Sequence, residues 1–385
     1  MTKLKVNEKV NPIEYFSTMG CRTANGYDIN FEDSYRNNIH EAIHNGHTKD
    51  NVVSGAQKDG RGNICPVTII LPTIAMEVKQ QLNALGDVDD HLTKEERCFH
   101  EFMIELDKAI FDAKDALIER FNYIASQSPA SAKFMYENNT MSGYVPSEGI
   151  VSALKHGTLA LGQIGLAEAL EILIGTDQTT ELGMEHAKMI ESLFNMRCAQ
   201  FKEETKLNFG VYYTPAENLC YTSFLKWKEK YGEMENVTFY IDSKGERHEK
   251  EYFTNSMHVP VYKEMSPFDK INIESQLTSY SNAGCITYIE TKHEIVDNIE
   301  ALEKMVNYAM NKDIPYFAIN LPNDHCEDCG YQGSIDDCCP KCGSKHISHL
   351  RRVTGYLTGD YKSAFNYGKQ IETEQRVKHN EKTDF

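Results

Sequence analysis

The sequence predicts an α/β body followed by a small cysteine-rich, metal-binding module. Three observations carry this. Short apolar, β-branched runs alternate with longer segments whose apolar residues recur every three or four positions, the pattern of strands interleaved with helices. From Asn323 onward the composition turns to Cys, Gly, Asp and Lys. Five of the eleven cysteines fall between Cys326 and Cys342.

Taken in order, residues 1–65 read as mixed loop and strand. Arg61-Gly-Asn63-Ile-Cys65-Pro then leads into Val67-Thr-Ile-Ile-Leu71, an apolar, β-branched run that reads as a buried strand. From 93 to 125 the periodicity is helical, with Phe99, Phe102, Met103, Leu106, Ile110, Ala113 and Leu117 spaced by threes and fours. Residues 148–175 and 182–205 read as two further helical stretches, split by Gly175-Thr-Asp-Gln-Thr-Thr. Residues 236–253 read as a hairpin turning at Ser243-Lys-Gly245. A helix over 295–311 leads into a strand, Ile314-Pro-Tyr-Phe-Ala-Ile319. The change in composition puts a domain boundary near 310–322, giving a body over 1–312 and a module over 313–385. The last ten residues are polar and are expected to fray.

The 385 residues carry a net charge of −17. That argues against a broad nucleic-acid-binding surface, which needs Lys and Arg to displace counterions. It leaves room for a nucleotide whose phosphates are held by backbone N–H groups and a few cations. No run approaches 18 consecutive apolar residues, so no transmembrane helix is expected. The first residues lack the apolar centre of a signal peptide, which points to a cytoplasmic location. In a reducing compartment, eleven cysteines are better read as metal ligands or working thiols than as disulfides.

Cys326-Glu-Asp-Cys329 and Cys339-Pro-Lys-Cys342 are two CxxC knuckles separated by nine residues. Each knuckle places two thiolates on one tight turn, and two knuckles close a tetrahedron around Zn²⁺. Gly330 and Gly343 follow the second cysteine of each knuckle, where such a turn calls for positive φ. Cys338 is an alternative to Cys339 as the third ligand. Four thiolates leave no open coordination position, so the zinc is expected to be structural and to hold a core-poor module together.

Directly after the knuckles comes Arg351-Arg-Val-Thr-Gly355-Tyr-Leu-Thr-Gly-Asp-Tyr361. On its own, Gly355 would mark only a turn or a close backbone approach. The run resembles the glycyl-radical motif, and its continuation, Lys362-Ser-Ala-Phe-Asn-Tyr-Gly-Lys-Gln370, resembles the tail of class III (anaerobic) ribonucleotide reductases. Enzymes of the pyruvate formate-lyase group share a related Arg-Val-x-Gly-Tyr core but lack the preceding zinc knuckles, so the combination is more specific than either part. A Cα radical delocalises into both flanking amides and favours planarity there, which a side chain would oppose. The resemblance therefore implies that Gly355 stores a radical. It also implies that a separate iron–sulfur, S-adenosylmethionine-dependent activase installs it.

Further segments are similar to the same family: Met19-Gly-Cys21-Arg-Thr23, Gly60-Arg-Gly-Asn63 with Val67-Thr-Ile-Ile-Leu-Pro72, Lys155-His-Gly-Thr158, Ile164-Gly-Leu-Ala-Glu168, Thr214-Pro-Ala-Glu217 and Thr254-Asn-Ser-Met-His-Val-Pro260. The stretch 24–59 is long between its neighbouring motifs and reads as an insertion. The resemblance implies that Cys21 forms the thiyl radical that abstracts the ribose 3′ hydrogen, and that Asn63 lies close to the substrate. Residues i and i+2 of a strand point the same way, so Cys65 is expected to share the face of Asn63. A redox-active pair that includes Cys65 would then accept electrons from a thioredoxin- or glutaredoxin-like protein, whereas the alternative reductant is formate. Cys98, Cys198, Cys220 and Cys285 read as structural. His40, His44 and His47 read as a solvated face.

Chains of this family are longer and place the radical-cysteine loop well inside. The resemblance thus implies the C-terminal half of a ten-stranded α/β barrel, followed by a small zinc-binding glycyl-radical domain. The expected activity is reduction of ribonucleoside triphosphates, with the N-terminal half of the reductase as a partner chain in a split enzyme. Two other readings compete. One is a glycyl-radical spare part or inactive fragment acting only by association, against which Cys21 and the barrel motifs argue. The other is a zinc-ribbon binding module, against which the acidic balance and the setting of Gly355 argue.

Overall fold

The structure, a computed structural model, describes residues 28–30, 62–85, 91–138, 140–141, 143–335, 337–353, 356–357 and 360–379. The body is built on parallel strands. Strand β1 (Asn63–Ile70) pairs with β2 (Thr158–Ile164), and β2 pairs with β3 (Asn208–Val211), all parallel and in the order β1-β2-β3. Past β3, a parallel bridge joins Tyr212 to Gly284, close to a second parallel pair, β6 (Thr287–Glu290) with β7 (Phe317–Asn320). Between β3 and β6 the antiparallel hairpin of β4 (Phe239–Ile241) and β5 (Arg247–Glu249) turns at 242–246, as the sequence predicts.

Every residue of β2 is buried, which is why no alternation marks it as a strand. The stretch 148–175, expected to be one helix, is three elements: the short helix α4 (Val151–Leu154), β2, and helix α5 (Leu166–Ile174). An apolar run buried on both sides cannot be told from a buried helix by periodicity. The punctuation is at Gly165, whose φ of +75° is left-handed. A Cβ there would also lie 2.4 Å from Pro72 Cγ.

The helices pack on one side of β1-β2-β3. Helix α1 (Leu71–Leu85) follows β1 directly, and α2 (Lys94–Ala125) starts at a capping box in which the Thr93 hydroxyl accepts from Glu96 N–H (3.1 Å) and Glu96 Oε2 accepts from Thr93 N–H (2.8 Å). Its buried stripe, Phe99, Phe102, Leu106, Ile110, Ala113, Leu117 and Phe121, follows the predicted spacing. Each large member stabilises the fold by about 1.5–3 kcal/mol through burial. A short helix, α3 (Lys133–Glu137), precedes α4. Helices α6 (Glu181–Thr205) and α7 (Glu217–Tyr231) complete this layer, and Trp227 of α7 donates its indole N–H to Pro72 O (3.0 Å). Cys98, Cys198 and Cys285 are buried in this core, and Cys220 is buried in a smaller cluster with Ile164, Ala216 and Tyr252. Among the described residues no helix is long and apolar enough to cross a membrane.

Helices α8 (Pro267–Thr278) and α9 (Ile299–Asn311) pack with β6 and β7 around a smaller core of Phe268, Ile271, Ile289 and Met305. Because β7 pairs with β6, residues 317–320 continue the body, and the passage to the cysteine-rich segment comes after them. There β8 (Asp324–Cys326) forms the centre of an antiparallel ribbon, flanked by β9 (Gln332–Gly333) and β10 (Ile347–Ser348). A two-stranded hairpin follows, β11 (Arg352–Val353) with β12 (Tyr356–Leu357). The described residues end in the short helix α10 (Tyr361–Ala364), helix α11 (Tyr367–Glu374) and an extended segment to His379. Helix α11 returns to the body. A Cβ at Gly368 would lie 2.4 Å from Glu251 O, and Tyr252 donates its hydroxyl to Gln375 Oε1 (2.8 Å).

Candidate active site and metal centre

The four cysteines of the two knuckles converge. Their Sγ atoms all lie within 4.8 Å of one another, with Cys326–Cys342 at 3.6 Å and Cys329–Cys339 at 3.5 Å. A tetrahedron with Zn–S bonds of about 2.3 Å has S···S edges of about 3.8 Å, so the ribbon is shaped for such an ion. The knuckles match each other. Gly330 N–H donates to Cys326 O (2.9 Å), Gly343 N–H donates to Cys339 O (2.8 Å), and the two glycines have φ of +73° and +75°. Burial raises the Cys339 thiol, but the N–H groups of Cys342 and Lys341 and the neighbouring thiols outweigh it and bring the thiol down to about 7. Cys338 is exposed and stands outside the cluster, which Cys339 completes. A second group of ligand types, Asp242, Glu246 and His248, sits on the β4–β5 turn. There Asp242 Oδ1 is already used by the N–H groups of Lys244 and Glu246, as in an ordinary turn.

The ribbon is wired to the Gly355 motif through one buried carboxylate. Asp324 is fully buried; its Oδ2 accepts from Ile335 N–H (2.8 Å) and Arg351 Nη2 (2.9 Å), and its Oδ1 faces Arg351 Nη1 and His349 Nδ1. One residue on, the hairpin begins, with Arg352 opposite Leu357 and Val353 opposite Tyr356. Thr354 and Gly355, the two residues between these strands, lie outside the described residues. The hairpin meets the body through Arg352, whose guanidinium lies 5.4 Å from the centre of the Tyr288 ring.

A buried charge cluster joins the tail to β6 and to the hairpin. Glu372 pairs with Lys369 and with Arg376 Nη2 (3.1 Å), and Glu290 Oε1 accepts from Asn320 Nδ2 (2.8 Å) and faces Arg376 Nη1 (3.4 Å). Burial would raise the Glu372 carboxyl, yet Lys369 and Arg376 hold it at about 2. Beside the cluster is a cavity of about 40 Å³, lined among others by His258, Lys270, Tyr288 and Glu290. It has room for a few waters and not for a nucleotide. None of these charges was singled out in the sequence; the signals available were the i, i+3 spacing of Lys369 and Glu372 and the i, i+4 spacing of Glu372 and Arg376.

The predicted strand pair of site residues is not brought together. In the β1–β2 ladder Asn63 stands opposite Thr158, but Cys65 stands opposite Leu159, the very next residue. Ile64 is therefore the extra residue of a bulge, and the alternation on which a shared face depends is broken. Asn63 points away from the helices, with Nδ2 donating to Ala283 O (3.2 Å) and Oδ1 buried without a partner among the described residues. Cys65 instead joins the apolar core under α2, where burial raises its pKa and Arg120 offsets this only in part. The expected common face is thus corrected. The face of Asn63 also carries Thr68, whose hydroxyl donates to Thr214 Oγ1 (3.1 Å), and Gly162, where a Cβ would lie 1.9 Å from that same Thr214 atom.

Cys21, together with His40, His44 and His47, lies outside the described residues. Of the stretch expected to be an insertion, Asp28–Asn30 is described, and it is stitched into the body. Asp28 is fully buried, accepts from Asn208 Nδ2 (2.7 Å) and faces His156 Nδ1 (2.8 Å), while Ile29 N–H donates to Asn208 Oδ1 (2.9 Å).

The fold and site define an α/β protein in which a parallel body is followed by a four-cysteine ribbon and, directly behind it, the hairpin of β11 and β12. The comparisons with known proteins narrow this to one family. The family model described as anaerobic ribonucleoside-triphosphate reductase matches residues 2–379, and the chain belongs to that family. Anaerobic ribonucleoside-triphosphate reductase from Escherichia coli (strain K12) is 32% identical over 374 residues, which is 94% of this chain and 46% of the relative. The enzyme of the same name from Enterobacteria phage T4 is 31% identical over 334 residues, 83% of this chain and 49% of the relative. The chain thus spans about half the length of the curated relatives it matches. Among solved structures, an anaerobic ribonucleotide reductase superposes with a TM-score of 0.62 at 22% identity, covering 84% of this chain and 46% of that one. The anaerobic ribonucleotide reductase from Thermotoga maritima superposes with a TM-score of 0.57 at 21% identity, covering 81% and 44%. The fold is therefore that of anaerobic ribonucleotide reductases.

Proposed function

We propose that this chain carries out the radical half of an anaerobic ribonucleoside-triphosphate reduction. The observation that carries the reading is the match to one family over residues 2–379, which takes in both Cys21 and Gly355. In this reading Gly355 stores the radical, installed by a radical S-adenosylmethionine activase, and Cys21 is the thiol that exchanges a hydrogen atom with the ribose. The parallel strands belong to the C-terminal half of a ten-stranded barrel. The remaining strands and the rest of the substrate pocket belong to the N-terminal half of the reductase.

Asn63 lies on the face of the sheet away from the helices, and its buried Oδ1, without a partner among the described residues, suits it to accept a hydrogen bond from a substrate hydroxyl. Helix α7 opens directly after Thr214-Pro-Ala216 without a side-chain cap from Ala216, and its first-turn N–H groups, uncapped among the described residues, suit the substrate phosphates. The knuckles hold zinc in a structural role, since four thiolates fill its coordination. With Cys65 on the helix side, the dithiol reading loses its carrier, and formate is the reductant favoured here.

Anaerobic co-expression with the activase and the N-terminal half tests the proposal. The expected result is a radical signal that Gly355→Ala abolishes, together with deoxynucleotide formation that also requires Cys21 and formate. Turnover that survives Cys21→Ser would overturn it. A Gly355-dependent radical without any turnover in the reconstituted complex would favour the spare-part reading.

A further inference from the structure

The hairpin of β11 and β12 has two residues in each strand and two cross-strand pairs. A ribbon that short has no independent stability, so its place is set by what it docks on. On one side Arg351 ties it to the zinc ribbon through Asp324. On the other side stands Arg376, 10% exposed, whose guanidinium reaches three elements at once. Nη1 donates to Arg352 O of β11 (2.7 Å) and lies 3.4 Å from Glu290 Oε1 of β6, and Nη2 donates to Glu372 Oε1 of α11 (3.1 Å).

We propose that Arg376 is the positioning residue that fixes the Gly355 hairpin against the body. This rests on the function proposed above for what Gly355 does, but not for where the hairpin sits. A planar guanidinium is the one side chain that serves a carbonyl and two carboxylates in diverging directions; an ammonium is a single point charge. Buried charge of this kind adds little to net stability, which fits a role in fixing one geometry rather than in holding the fold together. The tail itself has other stitches. Val377 N–H donates to Val261 O (3.0 Å), His379 N–H donates to Glu290 O (2.8 Å), and Glu290 N–H donates to His379 Nδ1 (3.0 Å). Removing the guanidinium leaves these ties of the tail in place and takes from the hairpin its bond at Arg352 O, while Glu290 and Glu372 each lose one cationic partner.

The test compares wild type, Arg376→Lys and Arg376→Ala in the full chain by hydrogen exchange of peptides spanning 350–358, with the ribbon over 324–348 as internal reference. Loss of a charge-assisted hydrogen bond predicts hairpin exchange faster by roughly tenfold in Arg376→Ala. Arg376→Lys is expected to recover only part of this. Methylguanidinium, but not methylammonium, is expected to restore slow exchange to Arg376→Ala. After activation, the radical yield per chain is expected to follow the same order and the same rescue. Hairpin exchange unchanged in Arg376→Ala, or ribbon and hairpin loosening in step, would overturn the proposal. Should the wild-type chain give no Gly355 radical, the proposed function falls, and the exchange comparison still decides for or against Arg376.

Discussion

Asp324 and Arg351 form a two-pronged ion pair in which the carboxylate is fully buried, at the seam between the thiolate ribbon and the Gly355 hairpin. The pair ties the ribbon to the hairpin: Asp324 sits two residues before the first cysteine of the cluster, and Arg351 sits one residue before β11. Asp324→Asn keeps the shape, withdraws the charge and leaves Arg351 facing a neutral amide. The expected cost is about 3 kcal/mol, as for breaking a buried pair from one side. It should appear as faster proteolysis between 349 and 360 with the four thiolates still able to hold metal. The double variant Asp324→Asn/Arg351→Gln should lose less than the sum of its parts, since the two act on one interaction. Strict additivity would show that the contact carries nothing.

Metal content separates the two adjacent cysteines. Cys338 is exposed and outside the cluster, and Cys339 is buried within it. Cys338→Ser is expected to bind one zinc per chain with unchanged affinity. Cys339→Ser should lose most of the metal and with it the order of residues 324–348, because in a core-poor module the binding energy of the metal is folding energy. Elemental analysis after dialysis against a chelator reads this directly. Equal retention by both variants would return Cys338 to the ligand set.

The contrast between what was legible in the sequence and what was not has a physical basis. The knuckles, the stripe of α2 and the β4–β5 hairpin are local patterns, in which spacing along the chain fixes geometry. Strand β2 was missed because burial on both faces erases its alternation, and only Gly157 and Gly165 hint at its ends. The face of Cys65 was missed because a single bulged residue, Ile64, reverses every side chain on one side of it, and no residue type announces a bulge there. The ties of Asp28 to Asn208 and of Arg376 to Glu290 span 180 and 86 positions, and ordinary charged residues in polar segments give no sign of such partners.

The inner face of the sheet is tuned by a missing side chain. At Gly162 an added Cβ would lie 1.9 Å from Thr214 Oγ1 and 2.5 Å from Tyr212 O. Since Thr214 is held by Thr68 and by its own bond to Tyr212 O (3.2 Å), it cannot give way alone. Gly162→Ala is expected to cost about 1–3 kcal/mol by overpacking, read as a lower urea midpoint. It should also displace the Thr214-Pro-Ala segment and, on the function proposed above, weaken nucleotide affinity. A variant with wild-type stability and affinity would mean that the strand shifts freely, contrary to the packing around β2.

Two buried groups give opposite pH dependences that conceal each other. Burial, with the nearby charge of Lys270 added, brings His379 down to about 4, and its Nδ1 accepts from Glu290 N–H, so the ring is neutral at pH 7. The unfolded chain takes up this proton near 6.5 and the folded chain does not, so its stability contribution is lost as pH falls from about 6.5 to 4. Glu191 runs the other way. Burial, only partly offset by Gln163 and Tyr213, raises its carboxyl to about 7, so the folded chain holds a proton that the unfolded chain releases near 4.5. Its contribution is lost as pH rises from about 4.5 to 7. Each amounts to about 3 kcal/mol at most, and across the shared window they cancel. Glu191→Gln should therefore reveal a loss of stability on acidification from 6.5 to 4.5, and His379→Asn a loss on raising the pH through the same range. Below about 4.5 the carboxyls of Glu274 and Glu372, each held at about 2 against burial by neighbouring cations, add an acid loss common to all variants. Urea midpoints measured at half-unit steps decide the matter: single variants that keep the wild-type profile would show that neither group is ionised differently in the folded chain.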